Sequence, residues 1–161
     1  MVISNEFIHD YENTLELFND IDIKDLNISE CAYCENRVEV AAVAAIGLKK
    51  FKKAKELIEL FPPGFKDSRS NVVQIRYFAN KKEFSEIENV VSQVIEANIL
   101  SNARFTPYYA ARELYLTQNF NESEKYSDQV IELFSGEENF AVEWSYFFKK
   151  NYSKAYEILQ R

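Results

Sequence analysis

Apolar residues recur along this chain at spacings of three and four. Phe7, Ile8, Tyr11, Leu15 and Phe18 fall on one face of a helix over about Asn5–Asn19. Ile21, Ile23, Leu26 and Ile28 then alternate with polar residues, which reads as an apolar-studded connector packed onto the body. Four helix pairs follow. The first is a helix over Glu30–Lys49, dense in Ala and Val, with a partner over Phe51–Phe61 that Pro62-Pro63 stops. The second runs from Ser68, a candidate N-cap, to Ala79 and restarts at Ser85, with Glu88 three residues on as a capping box. The third opens on Thr106-Pro107, an N-cap followed by proline at the first helical position, and breaks at Asn119. It restarts at Asn121, with Glu124 three residues later. The fourth runs over Asn139–Lys149, restarts at Ser153 and stops at Arg161.

One phrase marks the turn inside every pair. It reads Lys49-Lys50-Phe51-Lys52-Lys53-Ala54, Lys82-Glu83-Phe84-Ser85-Glu86-Ile87, Gln118-Asn119-Phe120-Asn121-Glu122-Ser123 and Lys150-Asn151-Tyr152-Ser153-Lys154-Ala155. The aromatics are spaced by 33, 36 and 32 residues. A fixed period in this range is the signature of a helical-repeat solenoid, an architecture that mostly binds and rarely catalyses.

Composition narrows the class further. With 161 residues, 47% of them hydrophobic, the chain can bury a substantial core. Three glycines and three prolines are too few for a turn-rich β-fold. The net charge of −7 is carried by residues 1–30, which hold eight acids and one base. A neutral body behind an acidic leader argues against nucleic acid as a partner, because phosphate binding needs net basic surface. No basic-then-apolar leader opens the chain and no apolar run approaches membrane-spanning length. Two cysteines without a secretion signal point to a reducing cytoplasm.

The turn aromatics Phe51, Phe84, Phe120 and Tyr152 are the feature that resembles the tetratricopeptide-repeat family. Small residues Ala42 and Ala111 in the leading helices, and Ala54, Ser123 and Ala155 in the trailing ones, carry the rest of the resemblance. Pair two departs from it, with Ile75 and Ile87 at the small positions. Pair four departs with Glu143, and the glycine that usually precedes the turn is missing throughout. The resemblance implies an all-α, α-α superhelix of degenerate repeats over residues 31–66, 67–100, 101–136 and 137–161, behind a leading segment, 1–30. It also implies a concave groove on the leading helices that binds a peptide or partner helix. Glu39, Val43, Val72, Phe140 and Phe147 would lie there with Arg76, Tyr108, Arg112, Tyr115, Trp144 and Phe148, and the last six are the expected partner-binding residues. Two arginines could clamp an acidic peptide or a carboxylate.

Other features read more plainly. Lysines at the ends of the leading helices (Lys49, Lys50, Lys81, Lys82, Lys149, Lys150) compensate the negative end of the helix dipole. Cys31-Ala32-Tyr33-Cys34 lacks the further ligands a zinc site needs and reads as buried thiols. The only histidine is His9, and no phosphate-cradling glycine motif is present, so neither a catalytic centre, a metal nor a cofactor is expected. The last pair carries Trp144, Tyr146, Phe147, Phe148, Tyr152 and Tyr156, a heavy apolar load for a terminal repeat. That load suggests a chain that continues past Arg161, or a homodimer through the aromatic end. The expected function is a protein–protein interaction module. The alternatives are an acidic secretion chaperone, and a regulatory or oligomerising domain of a bacterial enzyme such as a surface-polysaccharide glycosyltransferase.

Overall fold

The computed structural model describes residues 10–19, 34–61, 68–97, 103–137 and 139–160. Among these residues every regular element is helical. The α-helices are α1 (Tyr11–Asn19), α2 (Cys34–Gly47), α3 (Phe51–Ile58), α4 (Ser68–Lys81), α5 (Phe84–Ala97), α6 (Thr106–Leu116), α7 (Phe120–Leu133), α8 (Phe140–Phe148) and α9 (Tyr152–Leu159). A 3-10 turn, Ala103–Phe105, leads into α6. None of these helices is long and apolar enough to cross a membrane. The chain divides into two compact units, Met1–Tyr77 and Phe78–Arg161.

In the first unit α2 packs on both α1 and α3. Leu15 and Phe18 of α1 are buried, as are Val38, Ala41, Ala42, Ala44, Ala45 and Ile46 of α2. The alanine density explains the closeness of the pair. At Gly47 a side chain would collide with the ring of Tyr11, so α1 approaches α2 where no Cβ stands in the way. The expected extensions of these two helices over Asn5–Asp10 and Glu30–Tyr33 fall largely outside the described residues, as does the Ile21–Ile28 connector. The helix expected over Phe51–Phe61 ends at Ile58 instead. Leu60 and Phe61 then donate to Leu57 and Ile58 in tight three-residue turns, as suits a chain about to enter proline.

In the second unit α6 is central. It packs against α5, α7 and α8, while α7 also packs on α8 and α8 on α9. Ala111 and Ser123, two of the expected small positions, meet directly: Ser123 Oγ donates to the Ala111 carbonyl at 2.8 Å. Ala155 and Ile87 are buried as well, as are Ala54 and Ile75 in the first unit. On α8 the buried small residues are Ala141 and Ser145, and Glu143 is half-buried.

The turns within the four pairs share one hydrogen-bond pattern. Lys49, Lys82, Gln118 and Lys150 adopt left-handed φ of 56°, 60°, 63° and 58°. Each donates its N–H to the residue three before it. The next residue donates five back: Lys50 to Ala45, Glu83 to Phe78, Asn119 to Leu114 and Asn151 to Tyr146. This is the Schellman ending, which normally calls for glycine at the left-handed position. The aromatic of each phrase follows as the first residue of the next helix. The helix restarts expected at Ser85, Asn121 and Ser153 therefore each come one residue earlier. That register leaves the capping boxes of Ser85 and Asn121 unmade. Asn119 precedes α7 without a side-chain cap, whereas Asn151 Oδ1 accepts from the Lys154 N–H. Helix α6 also begins early: the 3-10 turn supplies its lead-in, Thr106 is already helical, and no side chain caps it. Ser68 is likewise the first helical residue rather than the cap, and α4 runs on to Lys81.

Candidate functional site

Five of the six expected partner-binding residues lie in the second unit, on α6 and α8. Arg76, on α4, belongs to the first unit, where it is half-buried and already engaged.

The spacing of aromatic residues on α6 and α8 builds one continuous cluster. Tyr108 packs edge-on to Phe140 at 5.4 Å between ring centroids and stacks with Phe148 at 6.2 Å. Tyr115 meets Phe147 at 5.8 Å and Phe148 at 5.1 Å. Trp144 leans on Phe147 and Phe148 at 5.4 and 6.0 Å. Phe105 extends the cluster through stacked contact with Phe140, and Tyr152 extends it through Phe147.

Burial sorts the members. Tyr108 and Phe148 are buried and form the interior. Tyr115 and Phe147 are half-buried. Phe140 and Trp144 remain 53% and 43% exposed although rings flank both. Burial pushes the Tyr108 phenol above its usual range against the opposing charge of Arg112, so it stays protonated.

Arg112 is not an open clamp. Its Nε and one terminal nitrogen both donate to a single oxygen of Glu113, at 3.1 and 2.6 Å. Glu113 is 2% exposed, and Arg112 keeps about a third of its side chain in solvent. The guanidinium also lies 5.5 Å from the Tyr109 ring centroid. The carboxylate sits one residue along the helix, so this pair fixes the arginine's direction and neutralises most of its attraction for a further acid.

One residue outside the expected set, Arg104, braces the neighbouring α7. Arg104 donates to the Leu133 carbonyl and to Glu137, both at 2.7 Å, and its guanidinium covers Phe134 at 4.4 Å. It thereby closes the C-terminal end of α7. At the turn edge Lys149 pairs with Asp128, Lys81 with Glu83, and Lys150 lies over Phe120. Lys81, Lys149 and Lys150 are thus committed to local partners as well as to helix ends.

Cys34 departs from expectation. It is buried at the start of α2 and disulfide-bonded rather than a free thiol. The chain's other cysteine, Cys31, lies outside the described residues. A disulfide removes the reduced-thiol argument for a cytoplasmic location. Among the described residues no group of His, Cys, Asp and Glu is arranged to hold a metal ion.

No protein-family model, no curated protein and no solved structure matches this chain.

Proposed function

We propose that this chain is a non-catalytic protein-binding module with a tetratricopeptide-like arrangement of helix pairs, and that its α6–α8 face holds a peptide or partner helix. The exposure of Phe140 and Trp144 on an otherwise packed aromatic cluster carries the reading. Rings held by neighbouring rings lose little conformational freedom on binding, and aromatic side chains of this kind dominate interface energies. With Arg112 turned onto Glu113, the partner contributes apolar side chains rather than a carboxylate. The four turns of one geometry support the repeat arrangement.

The test is retention of proteins from the source extract on immobilised wild type and on the Phe140→Ala/Trp144→Ala variant. The expected result is one or more proteins kept by wild type and lost from the variant, with both chains equally helical by circular dichroism. Retention indifferent to both substitutions overturns the reading.

A second reading follows from α9, where Tyr152, Tyr156 and Leu159 are exposed beside α8. A homodimer through this end would bury them. Sedimentation equilibrium decides it: a dimer that Tyr156→Asp dissociates supports self-association, and a monomer at all concentrations excludes it.

A further inference from the structure

Helices α5 and α7 both pack on α6 and leave an open groove of about 580 Å³ between them. The groove is separate from the aromatic α6–α8 face. Its α5 wall is Glu88, Val91, Ser92 and Ile95, at spacings of three and four, so one helix face supplies it. Its α7 wall is Tyr126, Gln129, Glu132 and Leu133. The apolar part of this lining includes Ile95 and Leu133, each about 40% exposed. The lining covers Glu88 to Ile95 on one wall and Tyr126 to Leu133 on the other, about two turns of each helix, so the slot runs for about 12 Å.

The charge of this lining has one sign. Glu88 and Glu132 are its only ionised groups, and both are exposed. Lys125 reaches Glu88 at 3.4 Å, and Glu132 makes no ion pair among the described residues. Tyr126 adds a third acceptor. The residue as a whole is only 3% exposed, yet it lines the groove, and its hydroxyl, which makes no hydrogen bond within the described protein, is open to the groove's solvent. Burial, then the carboxylates of Glu88 and Glu122, push its phenol up to about 12, so its oxygen stays neutral and can accept from a cationic donor.

We infer that the α5–α7 groove is a second docking surface, and that it takes an amphipathic helix of a partner protein carrying Lys or Arg beside an apolar stripe. The apolar lining meets the stripe, and the carboxylates on both walls meet the basic flanks. The sign of the charge selects this occupant. The acidic leader of this chain, residues 1–30, would be repelled, and a second copy carries a net charge of −7 toward the same rim.

The test uses the full chain and a displayed library of roughly four-turn helical peptides. An apolar stripe is held constant in the library, and Lys, Gln and Glu are allowed on its flanks. Sequences retained by the wild type are expected to be enriched in Lys. Their binding is expected to fall about tenfold when Ser92→Trp fills the α5 wall or Gln129→Trp fills the α7 wall. It is expected to fall about threefold for each of Glu88→Gln and Glu132→Gln, and to weaken with salt. Trp144→Ala is expected to leave it unchanged. Failure to retain any sequence, retention without Lys enrichment, or binding indifferent to both tryptophan substitutions overturns the proposal. Loss of binding in Trp144→Ala would place the peptides on the α6–α8 face and overturn it too.

Discussion

The Lys150 ammonium lies 4.5 Å from the ring centroid of Phe120, so a side chain from one turn covers the aromatic that opens the trailing helix of the preceding pair. The backbone of Lys150 is left-handed, a conformation glycine adopts without cost. Two effects therefore oppose each other at this residue. Left-handed φ costs a residue with a Cβ about 1 kcal/mol. An exposed cation over a ring returns about 0.5–1 kcal/mol.

Glycine substitutions separate the two. Lys49 and Lys82 share the strained backbone, and neither has a ring contact of this kind among the described residues. Lys49→Gly and Lys82→Gly should each raise stability by about 1 kcal/mol. Lys150→Gly should gain much less, because it also uncovers Phe120. Urea denaturation midpoints check this, and an equal gain at Lys49 and Lys150 would show that the ring contact contributes nothing.

The turn phrase shows how much of the fold was legible in the sequence. Phe51, Phe84, Phe120 and Tyr152 stand at the first positions of α3, α5, α7 and α9, because a recurring aromatic at a fixed period marks a recurring structural role. The turn geometry was less legible. Lysine or glutamine occupies the left-handed position, so the usual glycine mark is missing and the helix restart reads one residue late. The apolar residues of the candidate site were visible as a stripe, but the state of Arg112 was not. Its partner adjoins it in sequence, and adjacent helix residues ordinarily point apart. A signal did exist: Glu113 falls three residues after Ala110 and seven after Thr106, on the buried stripe of α6. A carboxylate there demands a partner.

That partner can be tested directly. Arg112→Ala should destabilise the chain by about 2–3 kcal/mol, since it leaves the buried Glu113 carboxylate without its guanidinium. Arg112→Ala/Glu113→Gln should recover part of the loss, because the amide carries no charge to strand. Thermal or urea unfolding of the two variants measures it. A double variant no more stable than the single one would mean that the pair is worth only its packing.

The cysteines offer a count. Wild-type chain purified without reductant should titrate no thiol, and two after dithiothreitol, given Cys34 in a disulfide and two cysteines in all. If the pair is Cys31–Cys34, the loop is short, and reduction should cost only about 2 kcal/mol. Two free thiols in freshly purified chain would restore the reading as buried thiols.

Stability should also depend on alkaline pH through Tyr126. Burial, then the carboxylates of Glu88 and Glu122, lift its folded pKa to about 12 from the ordinary value of 10.0. The folded state therefore holds this proton more tightly than the unfolded state does. Below pH 10 both states are protonated and the full contribution is present. Between pH 10 and 12 the unfolded chain loses the proton first, so stability falls as pH rises, by about 2 kcal/mol across the window. Tyr126→Phe removes the titrating group and keeps the ring, and its urea midpoint should decline less steeply over that interval. Difference spectra near the tyrosinate band should show one phenol fewer ionising near pH 12 in the variant. Parallel declines for wild type and variant would show that the Tyr126 phenol titrates alike in the folded and the unfolded chain.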